Sequence, residues 1–357
     1  MAEPDLNLLS SWQYNLPDEL IASRPTARRD DSRLLVVDRK TGQIHHHMFR
    51  DLPDLLNDSS HLVFNDTRVL PARLFGVRTQ TGGKWEGLFL NQEADGRWRI
   101  TGQTRGRLQQ GESLTLNKAG EAVKLNGEGP ELKLEERGND GTWLVTPPSD
   151  ETVSLLEEYG TLPLPPYIGR RVADAEDADR YQTVYAAENG AIAAPTAGLH
   201  FTPEILARCE SRGILQSFVT LHVGIGTFRP VGAERLSEHH MHSEWCRVSL
   251  EEATRINHAK DAGQQIVAVG TTSVRTLEAA AAAGRLTAFE DTTELFIQPG
   301  FTFNCVDRLL TNFHLPGSTL IVLVAALAGY ELTMEAYSKA LQSKYRFYSY
   351  GDAMLIL

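Results

Sequence analysis

Between residues 70 and 147 apolar and polar positions alternate in short segments, among them ARLFGVRT, WEGLFL, RWRITG, ESLTLN, AVKLNG and TWLVTP. Side chains along a strand point to opposite faces in turn, so this period marks strands with one buried face. Turns at Thr81-Gly82-Gly83, Asp95-Gly96, Asn126-Gly127 and Asp140-Gly141 separate several of them. Short strands at such spacing predict a small barrel, closed off by Pro147-Pro148 and followed by a short acidic helix near 154–159. Beyond residue 190 the pattern becomes helices alternating with apolar strands. Thr202 is an N-cap with Pro203 at the first helical position and Gly213 past the end. Ser249-Leu-Glu-Glu252 is a capping box whose helix runs to Ala262 and stops at Gly263. A buried strand over 265–269 leads to a helix over 273–283, ended by Gly284. Ser318 caps a wholly apolar helix reaching Gly329, which predicts full burial. The first 68 residues supply strands over 33–38 and 61–64 and a short helix over 52–56, able to pair with the later block. The expected architecture is therefore an α/β main domain, residues 1–68 with 150–357, carrying an inserted small all-β barrel domain at 69–149.

Thirty-five basic and 46 acidic side chains leave a net charge of −11. The distribution matters more: residues 1–110 carry 15 basic and 14 acidic groups, whereas 111–160 carry 4 and 11. A polyanionic partner would have to approach a local basic surface, and the first third is the place for it. Cys209, Cys246 and Cys305 are too few and too scattered for a disulfide framework or a thiolate metal site. The N-terminus has no secretory pattern and the longest apolar run, 320–329, is about half a membrane span. The reading is a soluble, cytoplasmic chain with no membrane partner, and monomeric, since no coiled-coil heptads occur.

Several stretches carry candidate chemistry. In AVGTTSVRTLEAA a buried strand runs into Gly270-Thr271-Thr272-Ser273 and then a helix, so free amides and hydroxyls collect where a carboxylate or phosphate binds, with Arg275 as a bidentate partner. No dinucleotide fingerprint or Walker loop is present. GAIAAPTAGLHFT, 190–202, sets small residues and Thr196, Gly198, His200 and Phe201 before a helix. In TLHVGIGTFRPV, 220–231, a strand ends in Gly224 and Gly226, followed by Thr227 and Arg229 beside His222. His240 and His242 would share one side of a strand, a spacing found in metal-dependent hydrolases, but no second ligand cluster of fitting spacing accompanies them, and no metal is expected. His45-His46-His47 reads as a solvated surface run. Asn312 and His314 stand at the entrance of the apolar helix, and YRFYSYGD near the C-terminus is rich in tyrosine.

Taken together, FNDTRVLPARLFG (64–76), DRYQTVYA (179–186), AAPTAGLHFT, LHVGIGTFRPV, HMHSE (240–244), VGTTSVRTLE, TNFHLP and YRFYSYGDAMLI occur in one order along nearly the whole chain. This ensemble resembles the S-adenosylmethionine:tRNA ribosyltransferase-isomerase family of queuosine biosynthesis. The resemblance implies transfer of the ribosyl part of S-adenosylmethionine to 7-aminomethyl-7-deazaguanine in the wobble position of a GUN anticodon, its rearrangement to an epoxycyclopentane, and release of adenine and methionine. S-adenosylmethionine is then a consumed substrate, with no prosthetic group. One departure is Gly317, where the family pattern carries Lys.

That chemistry needs a base for the acidic protons beside the sulfonium, a proton for departing adenine and a neutral attacking amine. His200, His222, His242 and His314 are the motif side chains whose unperturbed pKa lies near neutrality, with Asp66 and Glu244 as acidic candidates. The methionine carboxylate suits the Thr271–Ser273 amides with Arg275 or, alternatively, Arg229; adenine suits the loop ending at Phe201. Anticodon-loop phosphates suit Arg24, Arg28, Arg29, Arg68 and Arg73, with Tyr345, Arg346, Tyr348 or Tyr350 meeting splayed bases. The rivals are a metal-dependent hydrolase on His240 and His242, a noncatalytic tRNA-binding module, and a methyltransferase using the same donor.

Overall fold

The computed structural model describes residues 4–121, 129–170, 172–224, 226 and 232–357. Nine strands form one mixed sheet in the order Phe289–Thr293, Glu244–Val248, Leu215–Leu221, Ser60–Asn65, Gln265–Val269, Arg308–Asn312, Ala353–Ile356, Arg33–Asp38, Gln43–Met48. Its centre is parallel: Leu215–Leu221, Ser60–Asn65, Gln265–Val269 and Arg308–Asn312 all run the same way. Alternation sends successive side chains to two buried faces. Leu35, Val63, Ile266, Ala268 and Leu309 pack on one side, where Leu250–Asp261, Thr271–Ala280, Thr319–Ala328 and Tyr330–Gln342 lie. Leu34, Leu62, Phe64, Val267 and Leu310 pack on the other against Pro203–Ser211. Both faces are covered, which is why these strands read as nearly continuous apolar runs.

The caps fall where the side-chain chemistry places them. Thr202 accepts from the Ile205 amide at 3.3 Å and Ser249 from the Glu252 amide at 3.1 Å. The helix expected from Ser273 begins instead at Thr271, because Gly270 takes φ 90° and ψ 153° and turns the chain straight from strand to helix. That conformation is open essentially to glycine alone. Residues 239–243 are not a strand, since pairing starts only at Glu244, so His240 and His242 share no strand face.

The second sheet is antiparallel and closes on itself: Arg73–Arg78 pairs with Lys84–Gln92 and also with Ser113–Leu116, making a six-stranded barrel. Trp85, Phe89, Trp98, Ile100, Leu114, Leu132 and Val145 fill it. Leu156 of the helix Thr152–Tyr159 joins this core, and Gly160–Thr161 pairs with Leu74 and Arg73, so barrel packing continues past residue 149. No single helix among the described residues is long and apolar enough to cross a membrane; the apolar Thr319–Ala328 meets Tyr330–Gln342 at 116°.

Candidate active site

Parallel strands deliver their carboxyl ends, and the helix starts that follow, to one edge of a sheet. Here a cavity of about 150 Å3 opens at that edge, lined in part by Thr196, Val223, Gly270, Thr271, Thr272, Asn312 and His314. The first turn of Thr271–Ala280 has no side-chain cap. Its orphan amides and the positive end of its dipole therefore favour an anion. Thr272 Oγ1 accepts from Asn65 Nδ2 at 3.2 Å, which fixes the rim. Ser273 turns away: its hydroxyl donates to the Val269 carbonyl at 2.8 Å and the residue is fully buried.

Arg275 and Glu244 both border the cavity but face each other. Arg275 Nη1 donates to Glu244 Oε2, its Nε to the Leu295 carbonyl at 3.1 Å and its Nη2 to the Thr293 carbonyl at 3.2 Å. The other carboxylate oxygen accepts from the Gly224 amide at 2.9 Å. The guanidinium is thus committed to acceptors of the protein itself. Sequence reading proposed the two residues separately; their pairing depends on Glu244–Val248 lying beside Leu215–Leu221.

Opposite, His314 is buried and its pKa is pushed down to about 3 by loss of hydration. Thr311 Oγ1 holds its Nε2 at 2.9 Å, the Tyr337 hydroxyl receives its backbone amide at 3.0 Å, and Tyr14 donates to its carbonyl. Nδ1 is the ring nitrogen not committed to Thr311. Behind it, Asn312 Oδ1 accepts from Thr196 Oγ1 at 2.8 Å and its Nδ2 lies 3.0 Å from His200 Nε2. An amide nitrogen can only donate, so His200 Nε2 accepts and its proton sits on Nδ1, facing Ser32 Oγ at 2.7 Å. With both nitrogens engaged, the ring stacked on Phe49 and its pKa lowered to about 3 by burial, His200 holds Asn312 in place from outside the cavity lining.

An aromatic wall completes the cavity. Tyr167 and Tyr348 have ring centroids 4.0 Å apart, and Tyr181 lies alongside. Tyr348 reaches this position through a left-handed backbone, φ 72°. Tyr167 and Tyr181 escaped sequence reading as site residues, although Tyr181 lies inside the 179–186 block.

Residues 9–356 match the family described as queuosine biosynthesis protein. The chain is 44% identical over 350 residues, 98% of its length and 99% of the relative's, to the S-adenosylmethionine:tRNA ribosyltransferase-isomerase of Staphylococcus saprophyticus. It also resembles the crystal structure of the S-adenosylmethionine tRNA ribosyltransferase from Thermotoga maritima, at 34% identity, TM-score 0.55, covering 98% of this chain and 100% of that one. The chain belongs to the queuosine biosynthesis protein family.

Other expected site residues of this queuosine-family chain lie elsewhere. Phe201 is fully buried, edge-on to Phe49 and Phe64 at 5.0 Å each, so it presents no face to a ligand; the wall is made by tyrosines instead. His222 stacks on Trp245 at 4.7 Å and bonds Thr67 Oγ1 at 2.8 Å, its pKa lowered to about 4 by burial. Asp66 borders a separate cleft with Tyr185 and Arg247, accepts from Thr220 Oγ1 at 2.8 Å, and has its pKa raised by burial. His242 is exposed, and its ring lies where a side chain on Gly226 would be. Gly198 packs against Tyr185, with no room for a Cβ. Thr227 and Arg229 lie outside the described residues. No group of three or more metal-ligating side chains gathers among the described residues.

The arginines expected to meet phosphates all have partners within the protein, and Arg24, Arg28 and Arg68 stay exposed. Arg29 donates to the carbonyls of Asp179, Arg180 and Leu199, Arg68 to that of Ala186, and Arg73 to Glu86 and the Leu164 carbonyl. Arg24 pairs with Asp174 and Glu176, Arg28 with Asp30, and Arg346 donates to the Arg24 carbonyl. Tyr345 and Tyr350 are buried, the first against His46 and Arg33, the second donating to Asp177 at 3.0 Å. At Gly317, φ is 65° and a Cβ would lie 2.4 Å from Gln13 Nε2, so the Lys of the family pattern would not fit this turn as it stands.

Proposed function

We propose that this chain moves and isomerises the ribosyl part of S-adenosylmethionine onto 7-aminomethyl-7-deazaguanine in a tRNA anticodon loop, and that the cavity at the carboxyl edge of the sheet is where it does so. The observation that carries the site assignment is the convergence of an uncapped helix start, a neutral imidazole and an aromatic wall in one cavity of a queuosine-family chain. The methionine carboxylate lies on the Thr271 and Thr272 amides. Adenine lies against Tyr348 and Tyr167. His314, kept unprotonated by burial, takes a proton from the carbon beside the sulfonium. That proton passes to the departing adenine. Apolar walls keep the attacking amine neutral by disfavouring its charged form. The chain works as a monomer in a reducing cytoplasm, in keeping with three free buried cysteines.

The test is incubation with S-adenosylmethionine and tRNA bearing the aminomethyl base, followed by mass spectrometry of small products and digested nucleosides. Adenine, methionine and epoxyqueuosine are the expected products. S-adenosylhomocysteine would indicate methyl transfer instead, and tRNA binding without adenine release would reduce the chain to a binding module. His314→Gln is expected to slow adenine release by about 10²–10⁴-fold, the usual worth of a general base; full turnover would remove His314 from the mechanism.

A further inference from the structure

The expected arginines each have a partner within the protein, so for a chain carrying net charge −11 the cations that have no counter-charge are a further place for an RNA phosphate to be met. One end of the barrel offers cations without counter-charges. Lys84 opens the strand Lys84–Gln92, and its neighbour Trp85 pairs with Thr104, the last residue of Trp98–Thr104. Arg105 and Arg107 follow directly, so three exposed cations stand over one rim. Among the described residues no carboxylate pairs with any of them. Glu112, the acidic group at this rim, is committed to Arg78, which donates from Nε to one oxygen and from Nη2 to the other at 3.0 Å. Arg78 in turn lies beside Gly106, which ties the two loops together.

The position of this rim relative to the cavity is defined by one strand. Leu70 donates to the Ala191 carbonyl at 2.9 Å, and Arg73 to the carbonyl of Leu164, next to cavity-lining Pro165. Arg73–Arg78 then leads away, and at the rise of a strand its far end lies about 17 Å further on. A loop whose nucleotide is seated in the cavity continues into a paired stem, which is long enough to span that distance.

We propose that the barrel rim bearing Lys84, Arg105 and Arg107 binds the sugar-phosphate backbone of the stem that carries the reacting loop, while the loop itself enters the cavity. This rests on the tRNA reading of the cavity. The barrel is then a second point of grip: it reads helical shape and phosphate, carries no base specificity, and acts on binding without touching the chemistry.

The experiment compares the full chain with K84A/R105A/R107A, and with a control in which Lys40, Arg285 and Lys339, cations on other elements, are replaced by Ala. Adenine release is measured against concentration of the aminomethyl-bearing tRNA at several salt concentrations. The rim variant is expected to raise KM for tRNA about tenfold or more, to keep kcat at saturation, and to flatten the slope of log KM against log salt by about 2–3, one unit or slightly less per lost phosphate contact. An unchanged KM and slope, or an equal rise in the control variant, overturns the rim assignment. A fall in kcat at saturation with unaltered KM does so as well. Circular dichroism and thermal unfolding identify a variant that fails to fold, in which case single Lys84→Gln and Arg105→Gln variants carry the comparison. If the unmodified chain itself releases no adenine, the function reading fails and the rim is not at issue.

Discussion

Glu244→Ala tests the pair at the back of the cavity. It removes the counter-charge of a guanidinium that is 5% exposed and leaves the Gly224 amide without its acceptor. The carbonyls of Thr293 and Leu295 still take two N–H groups of Arg275 but supply no charge. Both partners are almost wholly shielded, so water screens the loss little, and removing one member of such a pair costs about 3–5 kcal/mol. Glu244→Gln keeps an acceptor for the amide and forfeits the charge, which costs about 1.5–3 kcal/mol. Replacing both residues by Met removes the buried charges together and recovers part of the loss: two desolvated ions are no longer held in the interior, while the Gly224 amide and the Thr293 and Leu295 carbonyls lose their partners. Urea unfolding followed by far-ultraviolet circular dichroism reads all three variants. A loss below about 1 kcal/mol for Glu244→Ala, the size of an exposed pair, would refute the reasoning. A double-Met variant no more stable than Glu244→Ala would refute it equally.

Burial holds His200 and His314 neutral with pKa values near 3, and His61 and His222 near 4. The unfolded chain protonates these rings near pH 6.5, so stability is complete above that pH and declines as pH falls from about 6.5 towards 3; unfolding midpoints measured across that range check it, and a flat profile would contradict it. Gly270→Ala meets nothing nearer than 3.6 Å, so its cost is the backbone alone, about 1–3 kcal/mol of unfolding free energy by urea titration. Asn312→Ala leaves His200 Nε2 buried without its donor and is expected to lose about 1–3 kcal/mol in the same assay, and to lower adenine release with it. Dialysis against EDTA leaves adenine release unchanged; loss restored by added metal would revive the hydrolase reading on His240 and His242.

Local chemistry was legible in the chain without any fold. Thr202, Ser249 and Ser318 cap helices because a hydroxyl satisfies amides two or three residues away, a relation internal to the segment. The barrel announced itself because alternation and turn residues have short range. Helices alternating with apolar strands pointed to an α/β layer; the parallel pairing of its centre, and so the edge where Gly270, Thr271, Asn312 and His314 gather, came from the tertiary structure. What the sequence left open concerns direction. Ser273 and Thr272 are adjacent, yet only Thr272 faces the cavity, since neighbours on a helix point about 100° apart around its axis. Phe201 was expected to face adenine and Tyr348 the RNA loop; packing against Phe49 and Phe64 consumes the first, and a left-handed backbone sets the second at the cavity. The arginines of the first third were countable, but for Arg24, Arg29 and Arg68 the partners lie over a hundred residues away. Residue type and short-range pattern thus decided the elements and the reactive inventory. Only long-range packing decided which of those groups keep an unfilled valence for a ligand, because a side chain's partners are chosen by the fold and not by its neighbours in sequence.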